Sequence, residues 1–175
     1  AGESLESHDV QLRFLVEASL ATFDEDLQAR RITSRFESSA EGLLRTNEPL
    51  LMRVIDNVVK NASQHGAAGG SIEILITESP DAVSFRIANP VDRLPADIEE
   101  RAFEPLWRGD LSRDQSMGNS GLGLALVRQC VDALGGSVAM TAREGRFSIS
   151  VSLPRSPVSA AMNESPLRAD LHTAR

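Results

Sequence analysis

Apolar residues recur at helical spacing through Leu12, Leu15, Val16, Leu20, Phe23 and Leu27, so residues 10–29 read as one amphipathic helix opened by a capping region at Ser7 and Asp9. The period then changes to two. Ile32, Ser34 and Phe36 alternate with polar neighbours as a half-buried strand does, and an extended piece at residues 43–45 is a candidate partner for it. Asn47 stands as a cap ahead of Pro49, after which Leu51, Val54, Ile55, Val58, Val59 and Ala62 predict a strong helix that Gly66 ends. Residues 67–70 read as a loop. Two alternating runs, residues 71–77 and 83–88, flank Ser79, Pro80 and Asp81 and predict an antiparallel hairpin that Pro90 stops.

Residues 89–120 lose this regularity, with Pro95, Pro105, Gly109 and Gly118 and one short helical piece near residues 96–103. An irregular polar stretch of that length inside a domain is usually a functional lid. Residues 121–134 return to helical spacing, with Leu122, Leu126, Val127, Cys130 and Leu134 on one side and Gly135-Gly136 placed as a left-handed cap. Residues 137–142 and 146–153 form a last hairpin about Glu144-Gly145. Beyond Pro154 the chain is rich in Ser, Pro and Ala without a period, which predicts a disordered tail over residues 154–175. The expected domain is residues 10–153, preceded by a leader at residues 1–9. Its class is α+β: a two-layer α/β sandwich whose mixed, mainly antiparallel sheet carries the three long helices on one face.

Charge narrows the partners. The 175 residues carry 18 Lys and Arg against 25 Asp and Glu, a net charge of −7 with no basic block, so nothing favours nucleic acid or an anionic membrane surface. Any phosphate the chain binds has to be held by local groups. The one cysteine, Cys130, lies in an apolar helical run, which excludes a disulfide framework or a cysteine metal cluster and predicts a core thiol in a reducing compartment. No apolar run approaches the roughly 20 residues that span a bilayer, so the piece is expected not to enter the membrane.

Two constellations carry chemistry. Asn57 and Asn61 lie four residues apart on one helix face, at the edge of the stripe set by Val54 and Val58, with Lys60 and His65 flanking them. Amide oxygens are hard donors that suit Mg²⁺, which takes a few protein oxygens together with water and substrate phosphates. The alternative is a helix edge solvated by two amides and a lysine. The second constellation is Gly118-Asn119-Ser120-Gly121-Leu122-Gly123, entering a helix: glycines allow close backbone approach, and a helix start offers free N–H groups and a positive dipole end to an anion. Its alternative is a flexible loop leading into a helix, and the neighbouring Arg108 and Arg113 favour the anion.

Asn57-x-x-x-Asn61-Ala62, then Phe103-Glu104-Pro105-Leu106-Trp107-Arg108-Gly109, then Gly118-x-x-Gly121-Leu122-Gly123-Leu124 together resemble, in order and spacing, the N box, F box and second glycine box of histidine kinase catalytic domains. The resemblance covers residues 10–153 and implies the α/β sandwich of the GHKL, or Bergerat, ATPases. It implies that Asn61, assisted by Asn57, coordinates Mg²⁺ on the ATP phosphates, with Lys60 and His65 near them. It implies that Phe103 anchors an ATP lid carrying Arg108, and that Gly118, Ser120, Gly121, Leu122 and Gly123 bring the helix start to the phosphates. The γ-phosphate acceptor would be a histidine on a separate dimerisation domain of the same protein, with a response regulator downstream. No catalytic base is expected in this piece. His8 lacks the acid, arginine and proline context of a phosphoacceptor and reads as a surface histidine, as does His172 in the tail. The implied setting is a cytoplasmic domain of a parent that can be anchored in the bacterial inner membrane.

One motif departs from the family. At its spacing before Phe103, the first glycine box D-x-G-x-G falls on Asn89-Pro90-Val91-Asp92-Arg93. The family's aspartate accepts a hydrogen bond from the adenine amino group; Asn89 keeps a neutral acceptor without the charge that makes such bonds roughly twice as strong. Val91 and Arg93 remove backbone freedom beside the base. This keeps open a rival reading, a degenerate nucleotide-free module that acts by docking on a partner. A self-sufficient ATPase of the gyrase or mismatch-repair kind carries a glutamate where Asn57 stands, and Phe103-Glu104-Pro105 favours the histidine kinases over serine-kinase anti-sigma factors.

Overall fold

The structure, a computed structural model, describes residues 6–107 and 122–156. In chain order its elements are β1 (His8–Gln11), α1 (Leu12–Thr22), α2 (Asp24–Ala29), β2 (Thr33–Phe36), β3 (Leu43–Thr46) and α3 (Glu48–His65). They continue as β4 (Ser71–Glu78), β5 (Ala82–Pro90), α4 (Ile98–Arg101), α5 (Gly123–Ala133), β6 (Ser137–Arg143) and β7 (Arg146–Pro154).

The first element departs from expectation. Residues 10–29 do not form one helix, and the residue that precedes its first helical turn is Gln11 rather than Ser7 or Asp9. Val10 and Leu44 face each other in an antiparallel β1–β3 pair and are both buried, so the apolar contact that helical counting assigned to a helix start is made by a strand. β1 also takes in His8 and Asp9, expected in the leader; His8 is exposed, as read. Helix α1 then begins at Leu12 and breaks at Phe23, whose φ of −100° and ψ of 13° are not helical. The extended piece near residue 43 accordingly pairs with β1, and β2 pairs in parallel with β4.

The main sheet has the order β2-β4-β5-β7-β6, antiparallel except for β2 with β4. Alternation sorts its faces. Ile72, Ile74 and Ile76, then Val83, Phe85 and Ile87, then Phe147, Ile149, Val151 and Leu153 point inward and are almost fully buried. They meet α1, α3 and α5, whose core residues include Leu12, Val16, Leu51, Val54, Val59, Val127 and Val131. Leu122 does not join that face; it is 45% exposed at the start of α5. Cys130 is a buried free thiol whose pKa burial raises. The outward face carries Ser84, Ser148, Ser150 and Ser152 with a charged corner, where both Arg35 and Arg146 reach Glu73.

Turn chemistry follows the residues present. Glu144 and Gly145 have φ of 51° and 70°, the left-handed pair that a two-residue hairpin requires. Gly135, with φ of 73°, donates to Asp132 O at 3.0 Å, and Gly136 donates to Val131 O at 2.9 Å, closing α5. Among the described residues no helix is long and apolar enough to cross a membrane.

Both ends of α3 are tied down. Asn47 Oδ1 accepts from Leu50 N at 3.0 Å. At the other end the Arg30 guanidinium donates to Ser63 O at 2.6 Å, to Gln64 O, and to Gly66 O at 2.6 Å, satisfying carbonyls that a helix end otherwise leaves to water. Arg30→Met is expected to lower unfolding free energy by about 2 kcal/mol, the scale of charged hydrogen bonds lost from a partly buried site. Arg30→Lys, lacking the planar fork, should recover less than half of that. Urea denaturation decides it: a loss below about 0.5 kcal/mol for Arg30→Met would show the clamp to be energetically idle.

Candidate functional site

Asn57 and Asn61 are both half-buried on α3, where their spacing placed them. Asn57 Nδ2 donates to Arg53 O at 2.7 Å, one turn earlier, which turns Oδ1 outward along the helix edge. There it meets α5. A Cβ built on Gly123 would lie 3.1 Å from Asn57 Oδ1, tighter than ordinary contact, so a glycine is what lets the first residue of α5 pass the Asn57 amide. Among the described residues no side chain caps α5, and its first turn holds no acidic residue. The N–H groups at that end, with the positive end of the helix dipole, therefore lie beside an amide oxygen.

Lys60 is exposed on the same helix. His65 ends α3; loss of hydration first, and the Arg30 charge second, lower its pKa from 6.5 even though much of the side chain reaches solvent. The set of donors bears on a metal. Among the described residues no group of three His, Cys, Asp or Glu side chains could hold one, so a cation here would share the amide oxygens of Asn57 and Asn61 with water and ligand oxygens. That suits Mg²⁺ carried by a phosphate ester.

Asn89 lies at the end of the inward row of β5, after Val83, Phe85 and Ile87, and is 2% exposed. Its Nδ2 donates to Pro90 O at 3.1 Å, a carbonyl that also accepts from Ala67 N at 2.8 Å. A flipped amide would set two acceptors against each other, so the orientation is fixed and Oδ1 faces away from Pro90. Gly66 makes room: a Cβ there would stand 3.3 Å from Asn89 Nδ2 and 2.5 Å from Ala62 O. The lost glycines are explained by the same strand. Pro90 pairs with Arg146, and Val91 N donates to Gly145 O at 2.8 Å, so the chain leaves the sheet extended. None of residues 90–93 has a positive φ, and larger side chains fit without backbone strain.

Phe103 is half-buried beneath the guanidinium of Arg128, 4.3 Å from its ring centroid. Neither Arg128 nor the Arg30 clamp was signalled by the sequence, where each reads as a solvated charge. Arg108, Arg113, Gly118, Ser120 and Gly121 lie outside the described residues, so the structure brings together Asn57 with Gly123 and Phe103 with α5, and leaves those five unplaced. Leu122 is the residue before α5.

The family described as histidine kinase-, DNA gyrase B-, and HSP90-like ATPase matches residues 46–157. The sensor protein IrlS of Burkholderia pseudomallei is 29% identical over 130 residues, 68% of this chain and 28% of its own length. The sensor histidine kinase GlrK of Escherichia coli is 28% identical over 147 residues, 83% of this chain and 30% of its own. The chain thus spans under a third of either relative. The catalytic domain of histidine kinase ThkA shares the fold at a TM-score of 0.73 and 21% identity, covering 87% of this chain and 99% of that one, and a longer ThkA chain solved in complex with the response regulator protein TrrA shares it at a TM-score of 0.69 and 19% identity. The family match takes in the Asn57–Asn61 helix, the Phe103 segment and α5 alike, and so the chain belongs to the histidine kinase-, DNA gyrase B- and HSP90-like ATPases, as an ATP-binding catalytic domain of the sensor histidine kinase kind.

Proposed function

We propose that this domain binds Mg-ATP between α3 and the start of α5 and presents the γ-phosphate to a histidine on a separate dimerisation domain of the same protein, with a response regulator as the later acceptor. The observation that carries the reading is the approach of Gly123 to Asn57 Oδ1, which aims an oxygen donor and an open helix N-terminus at one place. Asn61 and Asn57 would hold Mg²⁺, which supplies charge neutralisation on the phosphate oxygens. Lys60 and His65 face the phosphate charge, and Arg108, Gly118, Ser120, Gly121 and Leu122 complete the phosphate side. Asn89 Oδ1 takes the adenine amino hydrogen. No side chain in this piece acts as general base, because the nucleophilic imidazole belongs to the partner domain; what the chain contributes is position and charge. The unit read from the sequence as residues 10–153 extends to residues 8–155, because His8 pairs with Thr46, Pro154 with Ala82, and Arg155 N donates to Asp81 O; the remaining residues on either side would be leader and tail, and the parent would lie in a bacterial cell with this domain in the cytoplasm.

Titration calorimetry with and without Mg²⁺ tests the reading: saturable binding should weaken at least about tenfold in Asn61→Ala, on the order of one charge-assisted contact. A folded wild-type chain that fails to bind at millimolar nucleotide would leave the docking module as the better account.

Restoring the family's acid is expected to harm. In Asn89→Asp one carboxylate oxygen would face Pro90 O in place of the amide N–H, costing about 1–2 kcal/mol of stability. ATP affinity should not improve. Tighter binding at unchanged stability would show that the Pro90 contact does not govern this residue.

Because the folded pKa of His65 lies below 6.5, the unfolded chain binds the proton more readily. Stability from this group is complete above pH 6.5 and is lost as pH falls toward the lowered value. Melting points between pH 7.5 and 5.5 should drop in the wild type and drop less in His65→Gln. Equal slopes in the two would assign the pH dependence to other groups.

A further inference from the structure

The segment after β5 is assembled around arginines. Arg101 donates to Asp97 Oδ2 at 3.2 Å and to Glu104 Oε2 at 3.0 Å, and its guanidinium stands 5.8 Å from the Trp107 ring centroid. On the sheet side the block is held by Glu99, whose Oε1 accepts from Ala142 N on β6 at 2.8 Å and lies 3.8 Å from Arg143 Nε, and by Ile98 and the buried Ala102. On the helix side Arg128 lies 4.3 Å from the Phe103 ring centroid. Arg128 is on α5, whose first residue is the glycine that passes Asn57. The block and the Asn57–Gly123 contact are therefore fixed to the same helix.

We infer that Arg128 is a positioning residue of the nucleotide site, holding Phe103 against α5 and so setting residues 97–107 relative to Gly123 and Asn57. The inference rests on the Mg-ATP reading above. A guanidinium suits the task because it stacks on an aromatic face while keeping its N–H groups in water, which an ammonium does less well. The aliphatic stem alone, as in methionine, would pack on Phe103 without the attraction to the ring quadrupole.

The 175-residue chain contains one tryptophan, Trp107, so its emission reports on the block directly. Arg128→Met should weaken Mg-ATP binding about two- to fivefold, the range an exposed cation–π contact supports, and shift Trp107 emission while the melting point stays close to wild type. Arg128→Lys should recover only part of the affinity. Phe103→Leu should give the same loss as Arg128→Met, and the double variant should be no weaker than either. Wild-type affinity together with unchanged Trp107 emission in Arg128→Met would overturn the inference, as would additive losses in the double variant. Absence of Mg-ATP binding in the wild type would instead overturn the nucleotide reading, and the nucleotide-free emission of Arg128→Met still tests the attachment on its own.

Discussion

The approach of Gly123 to the amide of Asn57 is the constraint on which the site depends. A helix start can offer its N–H groups to an anion only if nothing covers them, and an amide oxygen can share a ligand with that helix start only if the two backbones come close. With a Cβ 3.1 Å from Asn57 Oδ1, any other residue at position 123 would require the amide or the helix start to give by a few tenths of an ångström. The contact also requires α3 to keep one rotation about its axis. The apolar stripe along Leu51, Val54, Ile55 and Val58 sets that rotation, and the buried Ser19 hydroxyl, bonded to Asp56 Oδ1 at 2.6 Å, keys it against α1.

The parts of the fold that were legible are those whose signal is local. Asn47, Pro49 and Gly66 bracket α3 because capping and termination depend on a few adjacent backbone groups. The 71–88 and 137–153 hairpins were legible because period two and a turn tetrad are read within one window. The N-terminal region was not. Val10 falls on the helical count that continues through Leu12 and Leu15, and only its partner, Leu44 on β3, makes it a strand residue. The parallel pairing of β2 with β4 is likewise set by the α3 crossover between them, which no short window contains.

The same division runs through the site. Asn57, Asn61 and Gly123 would act through their own side chains or the lack of one, so their spacing made them candidates and the resemblance to the family's boxes singled them out. Arg30, Arg101 and Arg128 act by what they touch: helix-end carbonyls, two carboxylates and an aromatic ring brought from elsewhere in the chain. On an exposed helix position such a residue is indistinguishable from a solubilising charge until the fold supplies its partner.

The path of the chain at Asn89 accounts for the departure from the family's first glycine box. The glycines of that box are dispensable here because β5 runs on through Pro90 into pairing with β7, and Val91 bonds to the β6–β7 turn at Gly145, leaving no left-handed residue between 90 and 93. The amide in place of the acid follows from the same path of the chain. The extended backbone turns the Pro90 carbonyl toward residue 89, and a carbonyl there calls for a donor, which asparagine has and aspartate lacks. Once one end of the amide is spent on Pro90, the other can only be an acceptor, which is the property an adenine amino group needs. The altered box is therefore a local solution that keeps an acceptor without the acid's charge, and on the Mg-ATP reading that acceptor would serve the adenine amino group.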